Sequence, residues 1–164
     1  VEFLRSRLER VIGRRPDILC ERLEIPDERW QNAVEAMLGE RRFTIIVPPL
    51  DYKAALAYID QNRDEPGLHN ASVLNLERAL REQRPAYRSS LARQVQTDDR
   101  YLRAYIDSVL GTIITCLSAQ ELEHHQRSIT PEVMHYSEWA VRVISLHNAV
   151  RSASFIQSCA SSST

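Results

Sequence analysis

The chain predicts an α/β fold made of two pseudo-repeated strand-helix-strand-helix halves that share one globule. Three observations predict it. Residues 24–39 (E-I-P-D-E-R-W-Q-N-A-V-E-A-M-L-G) and 96–111 (Q-T-D-D-R-Y-L-R-A-Y-I-D-S-V-L-G) are variations on one segment, offset by 72 from Gly39 to Gly111. At that offset Asp27 falls on Asp99, Val34 on Ile106, Glu35 on Asp107, Met37 on Val109 and Leu38 on Leu110. The flanks repeat too. Leu19, Leu23 and Ile25 fall on Leu91, Val95 and Thr97, and Phe43–Val47 answers Thr112–Cys116 after an insertion of Glu40, Arg41 and Arg42. Two copies are too few for a solenoid, so the repeats are expected as related halves. Alternating strand and helix patterns then place them in the α/β class with right-handed crossovers.

At 164 residues one domain is expected, burying about 68–70% of the unfolded surface. A half of about 70 residues would hold only ~3–5 kcal/mol of core stability alone, so the halves should share a core. The formal net charge of -1 argues against coating nucleic acid by bulk charge. No apolar run reaches the ~20 residues of a membrane span, and no signal-peptide core opens the chain. Cys20, Cys116 and Cys159 are odd in number and far apart, which points to a reducing cytoplasm rather than a disulfide framework or zinc hook.

Val1, Leu4, Leu8 and Val11 form an a/d stripe, and Gly13 and Pro16 end that helix. Residues 1–16 read equally as the end of a coiled-coil arm and as an ordinary amphipathic helix. Residues 17–144 read as the globule, with halves 17–61 and 89–144 and a connector at 62–88. Ile18–Ile25 suits a strand. Asp27 then caps a helix whose apolar face is Trp30, Ala33, Val34, Met37 and Leu38, with Gly39 at its end. Phe43–Val47 is a buried strand, and Asp51 opens a helix using Tyr52, Ala55, Leu56 and Ile59. Within the connector Val73–Leu76 is a short strand candidate. The second half follows as strand 90–95, helix 99–110, strand 112–117, a short helix from Ser118 to about Gln126, a turn at Ile129–Met134 and a final strand at Trp139–Ile144. Residues 145–164 read as a tail or the start of a returning arm, with Leu146, Val150, Ala153 and Ile156 on one helical face.

The chemistry of catalysis is sparse. His124-His125 with Glu121 and Glu123 is the most metal-like cluster, but adjacent helical residues point about 100° apart and cannot easily share an ion. No phosphate-cradling glycine loop, nucleophile elbow or Walker element is present. Asp27/Asp99 and Glu35/Asp107 are expected as helix-start acids and solvated face positions rather than a carboxylate pair. Neither cofactor nor metal is called for. Arg14, Arg15, Arg41, Arg42, Arg81, Arg84 and Arg88 belong to arginine clusters that read either as solvated faces or as a weak, salt-sensitive phosphate strip.

The segments D-E-R-W-Q-N-A-V-E-A-M-L-G-E-R-R-F-T-I-I-V (27–47), S-L-A-R-Q-V-Q-T-D-D-R-Y-L-R-A-Y-I-D-S-V-L-G (90–111) and H-H-Q-R-S-I-T-P-E-V-M (124–134) together resemble the hinge of MukB-like SMC ATPases, particularly the MksB/EptC condensins and the JetC subunit of Wadjet plasmid-defence systems. The resemblance spans about residues 17–144. It implies a non-catalytic dimerisation hinge of a DNA-organising, loop-extruding ATPase in chromosome segregation or plasmid defence. Its heads, and the sites for kleisin and other subunits, would lie elsewhere in the parent protein. It further implies a cytoplasmic, nucleoid-associated bacterial protein that forms a homodimer and contacts DNA weakly if at all. Hinges of this kind carry glycines after a motif like Ile129-Thr-Pro-Glu, whereas Tyr136-Ser-Glu-Trp-Ala stands here without one. The expected dimer surface is Ile113, Ile114 and Cys116 at one strand edge and Trp139, Val141 and Val143 on the final strand; filling of the monomer core explains the same residues equally well. A nucleic-acid-binding module using the arginines is the alternative function, and a small α/β enzyme a third.

Overall fold

The computed structural model describes residues 1–145; nearly all of the expected tail, with Leu146, Val150, Ala153, Ile156 and Cys159, lies outside the described residues. The chain opens with α1 (Glu2–Ile12), ended by Gly13 at φ 76, a left-handed conformation that glycine adopts without a Cβ penalty. Leu4 and Leu8 of the expected stripe are buried against α3 (Tyr52–Gln61) and its surroundings, while Val1 and Val11 stay exposed. Arg5 reinforces that grip. Its guanidinium donates two bonds of 2.8 Å to Glu21 and its Nε one of 2.7 Å to the Pro16 carbonyl.

The first half holds β1 (Asp17–Ile18), α2 (Gln31–Leu38), β2 (Ile45–Ile46) and α3. The expected strand over Ile18–Ile25 shortens to two residues because Leu19, Cys20 and Leu23 all turn inward, which a 3₁₀ turn at Leu19–Arg22 allows and an alternating strand does not. Residues 90–95 do the same in the second half, where Leu91–Gln94 is a 3₁₀ turn. The connector proves structural. It supplies β3 (Val73–Leu74) and an unforeseen α4 (Leu76–Arg81), capped by Asn75 and packed on α5 (Arg100–Leu110).

Two small sheets result, in the orders β1-β2-β3 and β4-β5-β6-β7, with β4 at Ile114–Thr115, β5 at Arg127–Ile129, β6 at Met134–Ser137 and β7 at Ala140–Val143. Only β2–β3 and β4–β5 are parallel; β1–β2 is antiparallel although α2 separates the strands. The expected helix from Ser118 is a 3₁₀ segment, Ala119–His124. Sequence reasoning missed β6, and Trp139 lies in the turn before β7 rather than inside it.

The internal repeat is real in three dimensions. Ile18 pairs antiparallel with Ile45, as Ser90 does with Ile114. β3 lies parallel to β2 as β5 lies parallel to β4. Where the halves meet, Glu24 and Gln96 exchange backbone hydrogen bonds of 2.9 and 2.7 Å. Gln96 is the residue 72 positions after Glu24, so each pairs with its own repeat image and a local dyad passes between them. The main core is common to both halves: Leu19, Leu23, Trp30, Val34 and Leu38 pack with Leu91, Leu102, Ile106 and Leu110.

Candidate functional site

The second half carries one structure that its repeat partner lacks, the β6–β7 hairpin. Antiparallel β6 covers the outer edge of β5, pairing Ile129 with His135 and Arg127 with Ser137. β7 covers β6 in turn, pairing Tyr136 with Val141 and Met134 with Val143. Alternation along the strands puts Met134, Tyr136, Val141 and Val143 on one face. That face is apolar and open, with Val143 70% and Val141 47% exposed.

β7 is the outermost strand of its sheet, and nothing among the described residues pairs with its free edge. β3 is outermost in the other sheet, with Val73 and Leu74 half-buried. By the repeat, the free edge of β3 corresponds to the edge of β5 that β6 covers. An uncovered apolar edge is a template for further pairing. The molecule therefore presents two such edges, one per half.

The hairpin turns through Glu138 at φ 52 and Trp139 at φ 64. Two-residue turns with positive φ at both positions favour Asn-Gly or Asp-Gly, so a tryptophan is held here against its backbone preference. Trp139 is 92% exposed. Beside β3, α4 and α5 leave a groove of about 400 Å³ lined by Leu74, Asn75, Arg78, Ala79, Arg84 and Tyr105 among others.

Of the expected surface residues, Trp139, Val141 and Val143 lie in the open on or beside β7. Ile113 and Cys116 do not. Each is 1% exposed and serves the monomer core, and Ile114 sits half-buried in a strand flanked by β5 and the Ser90 bridge. β4 is thus no free edge, because the loop before α5 folds back to cover it. Cys20 and Cys116 are both buried and form no disulfide with each other.

The arginine clusters divide likewise. Arg14 pairs with Asp51, Arg15 with Glu2 and Glu9, and buried Arg42 lies 4.0 Å from Glu35. These three are engaged with acids. Arg41, Arg81, Arg84 and Arg88 enter no ion pair among the described residues. Glu35, expected on a solvated face, is 1% exposed, and burial raises its carboxyl pKa against the opposing pull of Gln31 and Arg42. Glu121 of the metal-like cluster instead accepts from Leu117 N and Ser118 Oγ. Among the described residues no group of three or more His, Cys, Asp or Glu is placed to hold a metal ion, and no helix is long and apolar enough to cross a membrane.

His135 sits inside the hairpin, directly across from Arg142 and diagonal to Arg127. Its Nε2 is buried and accepts no hydrogen bond. Burial first, then the charges of Arg127 and Arg142, lower its pKa below the ordinary 6.5.

The architecture is thus two related halves on one core, with an edge strand in each of the two sheets that is unpartnered among the described residues. Residues 16–126 match the family described as SMC proteins Flexible Hinge Domain, and the chain belongs to that family. The hinge is the dimerisation module of SMC proteins, and these residues hold no ATPase head. Among solved structures, the chain is similar to the Pyrococcus furiosus SMC hinge domain, with 20% identity, a TM-score of 0.62, and coverage of 84% of this chain and 77% of that one. It is also similar to the hinge of the asymmetric dimer from Geobacillus stearothermophilus, with 22% identity, a TM-score of 0.54, and coverage of 90% and 67%. A Pyrococcus furiosus Smc hinge with an extended coiled coil matches at 19% identity and TM-score 0.62, covering 97% of this chain and 59% of that chain. No curated protein sequence matches.

Proposed function

We propose that this hinge joins two SMC subunits by pairing with a second copy of itself, β7 of each copy adding to the free edge of β3 in the other. The observation that supports it is the pair of unpartnered edges, one on each half. A two-fold axis makes both contacts at once, so the interface is self-complementary and closes. Light scattering across a concentration range tests it: a two-fold mass is expected, and Val143→Lys, which puts a charge on the open face, should return a monomer. A wild-type chain that stays monomeric at high concentration overturns the reading.

In the parent protein the joint would close one end of a ring around DNA while distant heads hydrolyse ATP. α1 would be the end of one coiled-coil arm, in keeping with the similar hinge that carries an extended coiled coil. Placement within the MukB-like branch, as a chromosome condensin or a plasmid-defence subunit, rests on the segments W-Q-N-A-V-E-A-x-L-G and Y-I-D-x-V-L-G. Kleisin and other partners, and a place at the bacterial nucleoid, belong to that same proposal.

A weak, sequence-independent DNA contact is the second reading, supported by Arg41, Arg81, Arg84 and Arg88 standing outside any ion pair among the described residues. Duplex binding titrated against salt tests it. Each neutralised phosphate contributes a slope of about −0.9 in log affinity against log salt, and a flat response removes the reading.

A further inference from the structure

We propose that Trp139 of one copy is the anchor of the dimer and seats in the α4–α5 groove of the other. The inference rests on the β7–β3 pairing proposed above and names the side chain and pocket that fix it. β6 shows the sense in which a strand covers this type of edge, since it runs antiparallel to β5, the repeat image of β3. A β7 strand taking the corresponding place on β3 runs antiparallel to it. Its first residue, Ala140, then lies at the Leu74 end of β3, and Trp139 just before it reaches Asn75 and the start of α4. That is the mouth of the groove lined by Leu74, Asn75, Arg78, Ala79, Arg84 and Tyr105.

Size and chemistry agree with the position. The groove has room for an indole in its 400 Å³ or so and offers Leu74, Ala79 and Tyr105 as apolar wall. Arg84, in no ion pair among the described residues, is available to lie over the indole face. Glu138, next to Trp139 in the turn, arrives on the same rim with a carboxylate opposite Arg84, Arg78 there being already paired with Glu82 at 2.9 Å. The backbone supports the assignment independently: two successive non-glycine residues at positive φ hold the indole 92% exposed, a strained presentation with no partner among the described residues. Aromatic side chains of this kind dominate association energies when they fill a pocket.

The two-fold arrangement supplies a decisive test. Trp139→Ala removes the knob and keeps the groove; Ala79→Glu blocks the groove and keeps the knob. In a mixture, one of the two seats in each heterodimer is intact, whereas neither homodimer has any. Sedimentation of the full chain should show wild-type dimer, each variant weakened by at least about 30-fold, and stronger association in the one-to-one mixture than in either variant alone. A wild-type monomer would overturn the pairing and the anchor together. A wild-type dimer that Trp139→Ala leaves within about twofold, or variants that fail to complement on mixing, would overturn the anchor and leave the pairing standing.

Discussion

Position 35 and its repeat image show how one layout is solved twice. In α5, Arg103 reaches Asp107 one turn on at 2.6 Å and also donates to the carbonyls of Val95 and Ala92, tying the helix to the preceding 3₁₀ turn. In α2 the equivalent pair is Gln31 and Glu35, bonded at 3.1 Å, and the missing positive charge comes from Arg42 in the insertion. Glu35 Oε2 accepts no hydrogen bond. Arg42→Ala leaves that carboxylate with Gln31 as its partner and should cost about 3–5 kcal/mol in urea unfolding. Glu35→Gln, which leaves the Arg42 guanidinium buried without its acid, should destabilise as well. Because the folded carboxyl titrates above its ordinary value of 4.5, the native state binds more protons than the unfolded chain in the window above 4.5. Wild-type stability therefore falls as pH rises through the folded pKa, and Glu35→Gln should flatten that slope. His135 works the other way on acidification. Its folded pKa is depressed, so its contribution is lost as pH drops below the unfolded 6.5; His135→Phe should remove that part of the acid sensitivity. At Asp99 the reading from sequence holds, since its carboxylate accepts from Tyr101 N and Leu102 N, and Asp99→Ala should cost about 1 kcal/mol. The burial of Glu35 was not legible, because a helical carboxylate beside Gln31 looks solvated until the fold brings Arg42 over it.

Among elements, helices were the most legible and strands the least. α2 and α5 advertise themselves by apolar residues three and four apart and by an aspartate at the start. Asp99 caps α5 itself, whereas Asp27 caps a 3₁₀ turn, Glu28–Trp30, that leads into α2. Both helices appear within a few residues of their expected bounds. Strands β1 to β4 are only two residues long. At that length no alternation exists to be read, and the apolar runs around them are 3₁₀ turns filling a core. The hairpin hid for a different reason. Its turn residues are Glu138 and Trp139, neither of which signals a tight turn, so the sequence pattern merges β6 with the turn before it and Trp139 with the strand after it. Trp139→Gly relaxes the positive φ and should stabilise the monomer by about 1 kcal/mol after the entropy of the added glycine is counted. Urea unfolding at a concentration where the chain is monomeric checks this, and association of the same variant should weaken. Gain of stability with loss of pairing would mark the residue as kept for contact rather than for folding. The site was half legible: Val141, Val143 and Trp139 stand in the open, but Ile113 and Cys116 look alike in sequence and are buried, because an apolar strand residue gives no sign of which face has a cover.

At the scale of the molecule, the repeat predicted a shared core and the structure has one, drawing Leu38 and Leu110, Val34 and Ile106 into a single cluster. Neither half keeps that cluster when the other is removed. Ile106→Ala should therefore cost about 2–5 kcal/mol and lower the midpoint of both halves together, with one transition by circular dichroism and by the fluorescence of buried Trp30. Separate transitions would mean two independent units.

The dyad between Glu24 and Gln96 also fixes how the molecule responds to tension. Two reciprocal backbone bonds join the halves there, and behind them lies a core that both halves own. A load drawing the halves apart has no ladder to unzip rung by rung, so resistance stays high over a short extension and then vanishes in one event. Such a joint is stiff and brittle rather than yielding.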